Sequence, residues 1–223
     1  MNQPPIKALS LTAVVAILFS LTACGASTPE PVLEGDAGTY LAQGRQYMDQ
    51  GKIQEAIVQF QAVVRLDPSS IEGHFRLGNA YFQQGQLEEA ATEFLKTLDL
   101  DPDNVDAQSN LGAVYYEQGE FDKAATEFGR AISLQPDDAD IHYNLGATYV
   151  QQFKLDAAIA EFREALRLNP NLARAHFGLG NAFKLQQKNQ EAIEALETFL
   201  ALDSSDAQLR AIAESLLVEL QAP

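Results

Sequence analysis

The side chains of this 223-residue chain that are best suited to chemistry are three imidazoles, one thiol and a few groups of acids. His74, His142 and His176 could serve as general bases or as ligands to a metal such as zinc. Cys24 is the only cysteine, so it can be a reactive thiol or an attachment point but cannot close an intramolecular disulfide. Asp99, Asp101 and Asp103 have the alternate spacing of a calcium loop, yet Pro102 interrupts them and no glutamate closes the loop. Adjacent acids such as Glu88 and Glu89 converge on no histidine. Glycine-rich phosphate loops, zinc-type Cys/His spacings and nucleophile elbows are absent from the sequence, so no cofactor is implied. What these residues can do depends on what positions them.

The positioning device is a repeat. Pro68, Pro102, Pro136 and Pro170 recur at an interval of 34 residues. A fixed period in this range marks a stacked repeat architecture. Counted from Ala37, five units follow: 37–70, 71–104, 105–138, 139–172 and 173–206. The eighth place of each is Gly44, Gly78, Gly112, Gly146 and Gly180, and the twentieth is Ala56, Ala90, Ala124, Ala158 and Ala192. Tyr47, Tyr81, Tyr115, Tyr149 and Phe183 fill the eleventh place, and Phe60, Phe94, Phe128, Phe162 and Leu196 the twenty-fourth. Within a unit, Phe75, Leu77, Tyr81 and Phe82 follow a helical period, and Gly85 supplies the left-handed residue that ends a helix. A second apolar set runs from Leu87 to Leu98 and stops at Asp101-Pro102. Small residues at the eighth and twentieth places let two helices approach, and no pair buries both of its faces alone. The histidines all occupy the fourth place of their units, which spaces them too far apart to share a metal and makes them packing residues.

Leu77-Gly78, Tyr81, Ala90, Phe94 and Pro102, and again Leu111-Gly112, Tyr115, Ala124, Phe128 and Pro136, resemble the signature of the tetratricopeptide repeat family. The resemblance covers residues 37–206 and implies an all-α, right-handed α-solenoid of five helix-turn-helix units. Gln43 and Ser204 depart from the pattern at its ends, and Phe153 and Gln187 stand where the turn glycine belongs, so those two turns are expected to be altered. Leu209, Ile212, Ala213, Leu216, Leu217 and Leu220 predict one more helix in 207–223, with Asp206 as its N-cap, covering the open end. The resemblance implies a scaffold and no enzyme.

In the family, the first helix of each unit lines a concave face through its second, fifth, sixth, ninth, twelfth and thirteenth places. Carried onto this chain, that implies a peptide-binding groove built from Phe75, Arg76, Asn79, Asp106, Asn110, Tyr116, Asp140, Tyr143, Asn144 and Phe177. Asn110 and Asn144 resemble two rungs of an asparagine ladder that holds an extended backbone. The second place runs Glu72, Asp106, Asp140 and Arg174, giving an acidic middle and a basic C-terminal end. Such a groove suits a protein or peptide with apolar anchors and some positive charge. It does not suit chaperone C-terminal tails, because the places of the carboxylate clamp hold Phe75, Asp140 and Asn144. The alternative to an adaptor is a self-associating spacer, a homodimer through the terminal helix with no groove ligand.

Residues 1–23 have one charge, Lys7, and an apolar run from Ala8 to Ala23 that is too short to span a bilayer comfortably. The run ends in Leu21-Thr22-Ala23-Cys24-Gly25, which resembles the bacterial lipobox. That implies a signal peptide removed before Cys24, a lipid-modified Cys24 at the mature N-terminus, and a flexible tether over 24–36 rich in small residues and proline. The chain would then be exported and anchored to the bacterial envelope. With two membranes, Gly25 favours the periplasmic face of the outer one; with one, the outer face of the cell membrane. Similar lipoproteins assist envelope assembly, pilus assembly among them. A formal net charge of −16 argues against nucleic acid as a partner.

Overall fold

The computed structural model describes residues 35–202 and 206–222. The expected signal peptide, Cys24, nearly all of the tether and Ser204 lie outside the described residues. Eleven helices follow one another: α1 (Ala37–Asp49), α2 (Ile53–Leu66), α3 (Ile71–Gln83), α4 (Leu87–Leu100), α5 (Val105–Glu117), α6 (Phe121–Leu134), α7 (Ala139–Gln151), α8 (Leu155–Leu168), α9 (Ala173–Leu185), α10 (Asn189–Ala201) and α11 (Ala207–Gln221). They pair antiparallel within each unit, and the second helix of one unit packs on the first helix of the next. The fold is an all-α solenoid.

The recurring small residues set the helix spacing. A methyl group at Gly44, Gly78, Gly112 or Gly146 would meet the ring of Phe60, Phe94, Phe128 or Phe162 at 2.4, 2.8, 2.9 and 2.8 Å, closer than real contacts allow. Ala56, Ala90, Ala124, Ala158 and Ala192 are each 0% exposed. The ring of each unit therefore lies flat against its own first helix, and the bulk of Leu77, Leu111, Leu145 and Leu179 is buried among neighbouring units.

Helix ends are handled differently at the two kinds of junction. First helices other than α9 begin on a capping side chain. Ser70, Asn104 and Asp138 each accept a hydrogen bond from a backbone amide in the first turn of α3, α5 and α7. Asp206 does the same for α11, accepting from the Leu209 amide at 2.9 Å. Second helices begin directly from the turn and have no side-chain cap.

Those turns overturn one expectation. Gly51, Gly85 and Gly119 have φ of 70°, 76° and 75°, and Phe153 and Gln187 adopt the same left-handed region at 56° and 60°. The closing hydrogen bond is preserved as well: Gln86 N to the Tyr81 carbonyl spans 2.9 Å, and Lys154 N to the Tyr149 carbonyl spans 2.9 Å. The turns without glycine are not altered, because packing on both sides dictates the path and the side chain bears the strain.

The last helix sits where a sixth first helix would. Lys184 of α9 donates to Glu219 of α11 at 2.7 Å, and Ala213, Leu216 and Leu220 pack on the α9–α10 pair. Glu214 falls at the eighth place, where the other units need glycine to receive a ring. A ring could not seat on it as one does on the glycines of the other units.

Candidate functional site: the concave face

The histidines resolve first. His74 contacts the Glu93 carboxylate through Nδ1 at 2.6 Å and the Pro68 carbonyl through Nε2 at 3.1 Å. His142 repeats this with Glu161 at 2.6 Å and Pro136 at 3.0 Å. Each ring thereby ties the inter-unit link to the second helix of its own unit. Gln108 in unit three keeps the contact with the second helix, donating to Glu127, and His176 keeps only the link contact, to the Pro170 carbonyl at 3.1 Å. These are clasps in the scaffold. Among the described residues no group of three or more His, Cys, Asp or Glu side chains is placed to hold a metal, and no helix is long and apolar enough to cross a membrane.

The first helices α1, α3, α5, α7 and α9 carry the expected groove places, and cavities open along them in two stretches. At the N-terminal end, Arg45, Met48 and Asp49 of α1 face Arg76, Asn79 and Gln83 of α3 over the Phe60 ring, enclosing about 350 Å³. Polar groups here are occupied with one another. Glu72 accepts from Arg45, and from Arg76 Nε at 3.2 Å. Partial burial pushes the Glu72 carboxyl up, but the hydrogen bonds from Arg45 and Arg76 outweigh that and hold it below the ordinary carboxylate range. Asn110 of α5 donates to Asn79 of α3 at 2.8 Å.

Towards the C-terminus two adjoining cavities share Tyr116, Tyr143 and Ala147. The first, about 190 Å³, lies between α5 and α7 and is lined further by Ala113, Glu117, Phe128 and Asn144. The second, about 160 Å³, lies between α7 and α9 and adds Val150, Gln151, Phe162, Phe177, Gly178 and Asn181. The walls are rings held in place. Tyr116 packs edge-on against Phe121 at 5.5 Å and its hydroxyl accepts from Gln151. Tyr143 lies 5.8 Å from Phe162, with the Arg174 guanidinium 4.6 Å above its ring, and Phe177 meets Phe199 edge-on at 5.4 Å. Burial pushes the Tyr143 phenol above the ordinary tyrosine range despite the nearby Arg174 charge, so this wall stays neutral. Among the described residues, the side-chain amides of Asn144 and Asn181 have no hydrogen-bond partner.

Of the residues named from sequence, Tyr116, Tyr143, Asn144 and Phe177 come together in the aromatic stretch, and Arg76 and Asn79 in the charged one. Phe75 is half-buried with its ring 6.1 Å from Phe94 and lines none of these cavities, and Asp106 lies exposed outside both stretches. Asn110 is spent on Asn79 and does not form a rung with Asn144. Asp140 is paired with Arg174, so the expected run from acidic middle to basic end is largely cancelled inside the protein. Sequence reasoning missed Asn181, at the same ninth place as Asn79, and the small residues Ala113 and Ala147 that line the cavities.

A solenoid of paired helices with a lined inner face defines a class of repeat scaffold. Within that class the chain belongs to the tetratricopeptide repeat family: models described as TPR repeat match residues 44–85, 78–119, 112–153 and 148–187, and one described as tetratricopeptide repeat matches 173–206. No curated protein matches the sequence. Similar solved structures include MamA from Desulfovibrio magneticus RS-1, 24% identical with a TM-score of 0.72 over 79% of this chain and 100% of that one. YrrB, described as a TPR protein with an unusual peptide-binding site, is 22% identical with a TM-score of 0.67 over 81% of this chain and 92% of that one. PilF of Pseudomonas aeruginosa is 22% identical with a TM-score of 0.68 over 82% and 88%. At these identities the likeness is one of fold.

Proposed function

We propose that this chain is a lipid-anchored adaptor of the bacterial envelope whose concave face holds a segment of another protein, and that its task belongs to envelope assembly, with pilus biogenesis the favoured instance. The observation that carries the binding reading is the pair of adjoining aromatic cavities flanked by amides that nothing in the scaffold uses. Apolar walls with a few convergent polar groups are the ordinary make-up of a recognition site. The peptide-binding site in the description of YrrB supports the binding reading by analogy of fold. Anchoring rests on the sequence around Cys24, as does the address. A second reading, self-association through α11, is favoured by the exposure of Val218 (73%) and Ile212 (41%) on that helix.

In-cell crosslinking of the anchored chain, followed by identification of what is captured, tests both. A partner taken by the parent and lost from a folded Tyr143→Ala/Asn144→Ala variant places binding on the concave face. Capture of the chain by itself, abolished by Val218→Glu, would replace the adaptor with the spacer. A Cys24→Ser variant recovered in the membrane fraction as fully as the parent would remove the lipid anchor.

A further inference from the structure

We infer that the cavity between the second helices α4 and α6 is a further docking site, which takes an arginine and a neighbouring apolar side chain from a partner protein. Its walls are Leu95, Leu98 and Asp99 of α4 and Glu127 of α6, with Pro102 of the link and Leu111 of α5 completing the lining, and it encloses about 300 Å³. None of these residues holds a concave place, so the site stands independently of the concave-face reading. A chain that grips one protein with its first helices and another with its second helices can bridge the two.

The cavity lies where the clasp between units is incomplete. In units two and four an imidazole contacts a link carbonyl and a carboxylate at once: His74 reaches Pro68 and Glu93, and His142 reaches Pro136 and Glu161. Unit three has Gln108 at that place, and Gln108 reaches Glu127 alone. The link nevertheless takes the same path. Its first residues Asp67, Asp101 and Gln135 have φ of −133°, −139° and −134° and ψ of 88°, 88° and 85°. The Pro102 carbonyl is therefore presented as those of Pro68 and Pro136 are, but among the described residues no side chain donates to it.

A guanidinium is the group that completes this clasp. It is planar and holds its N–H donors in a fixed fork, so one meets the Pro102 carbonyl while another meets a carboxylate, as the two imidazole nitrogens do in units two and four. Glu127 accepts from Gln108 and from Arg130 Nη1 at 3.0 Å, and a carboxylate has about four acceptor sites. Asp99, on the facing wall, is held only by Lys96 at 3.8 Å, with both side chains largely exposed. Asp99, Asp101, Asp103 and Glu127, in and beside the lining, outnumber Lys96 and Arg130, which favours a cation and rejects a carboxylate. The apolar requirement comes from Leu95. It is 46% exposed, and its counterparts in the other units are Gln61, Gly129, Arg163 and Glu197. A cavity of about 150 Å³ admits a benzene ring. One of about 300 Å³ therefore has room for an apolar side chain against Leu95 and Leu98 beside the stem of the arginine.

The test is selection of a random heptapeptide display library on the full mature chain and, in parallel, on Gln108→His, Leu95→Gln and Tyr143→Ala/Asn144→Ala variants. Gln108→His gives unit three the imidazole of its neighbours and closes the cavity with the scaffold's own device. Leu95→Gln gives α4 the residue that α2 carries at that place and, because Leu95 is half exposed, should leave the helical circular dichroism and melting temperature unchanged. The expected result is a class of peptides with arginine beside a large apolar residue that binds the parent and the Tyr143→Ala/Asn144→Ala variant alike. Synthetic peptides of that class should bind Gln108→His at least about tenfold more weakly, and Leu95→Gln about threefold more weakly. Replacing their arginine by glutamate should abolish binding to the parent. A selection that yields no such class overturns the site, as do peptides of that class that bind Gln108→His and Leu95→Gln as tightly as the parent. Loss of the same peptides from the Tyr143→Ala/Asn144→Ala variant alone assigns them to the concave face and overturns it too.

Discussion

The two ends of the concave face use the same places of the same repeat to opposite effect. In units one and two, Arg45, Glu72 and Arg76 form a closed set of ion pairs, and Asn110 of unit three donates to Asn79. In units three to five, Tyr116, Tyr143 and Phe177 wall the cavities from the twelfth and fifth places, and Asn144 and Asn181, at the sixth and ninth, are left without partners among the described residues. Exposed ion pairs add little to stability, about 0–1 kcal/mol each, so the charged stretch is not the stronger part of the scaffold. A ligand there has to compete with those contacts. The proposed reading therefore puts recognition in the C-terminal stretch, where the walls are rings and the Asn144 and Asn181 amides remain available.

The largest effects should fall equally on both stretches. Phe60 floors the charged cavity and Phe128 the first aromatic one, and both are essentially fully buried. Truncation of either to alanine should cost about 3–5 kcal/mol of unfolding free energy, measured by urea denaturation. Binding should separate them: at concentrations where both variants are folded, only Phe128→Ala should weaken a concave-face ligand. Equal weakening would mean that the whole face is one site and the contrast is false. Next in size, Tyr143→Ala should weaken binding by about 2 kcal/mol, roughly thirtyfold, while Arg76→Ala changes it less than about twofold. Titration calorimetry with one ligand against both variants checks the ratio.

How much of this was legible beforehand follows from which contacts repeat. Gly78, Ala90, Phe94 and their counterparts recur because each unit must solve the same packing problem, so the fold could be read from them directly. The concave places came from the family resemblance, carried onto each unit by the period. Their state could not be read that way. Whether an asparagine is free depends on its neighbour one unit away, and the Asn79–Asn110 and Asp140–Arg174 contacts join residues 31 and 34 positions apart. The second contact had a signal, opposite charges at the second place of adjacent units, that comparison between successive units would have found. Asn181 escaped although its place, the ninth, is a groove place and Asn79 at the same place was named: the reading of the last unit stopped at Phe177. The turns at Phe153 and Gln187 were misjudged because local preference is weaker than two helices already packed against each other.

Those turns carry the same contrast into the backbone, since glycine serves the first three and is missing from the last two. A non-glycine residue in the left-handed region costs about 1–2 kcal/mol, and glycine returns part of that as entropy of the unfolded chain. Phe153 is 78% exposed, so little packing is lost on its removal. Phe153→Gly should therefore stabilise the fold by about 0.5–1 kcal/mol, seen as a melting temperature a few degrees higher. A neutral or destabilising result would show that the Phe153 ring makes contacts worth its strain, and the C-terminal turns would then need an account of their own.

The smallest effect separates the two stretches by pH. Hydrogen bonds from Arg45 and Arg76 outweigh partial burial and depress the Glu72 carboxyl in the folded chain below its unfolded value of 4.5. A depressed folded value contributes stability that is present above the unfolded value and is lost as pH falls through the folded one. The Glu72 side chain is 41% exposed, so solvent screening keeps the contribution below about 1 kcal/mol. Parent and Glu72→Gln should therefore differ slightly in unfolding free energy at about pH 6, and the difference should shrink towards zero as the pH is lowered past about 4. Ligand binding should show no matching step on the aromatic side. The Tyr143 phenol is raised, so it stays protonated from acid to about pH 9 and the cavity wall acquires no charge. A binding curve that followed the Glu72 titration would mean that the charged stretch reports on the aromatic one through the intervening units, and the two would have to be treated as one coupled surface.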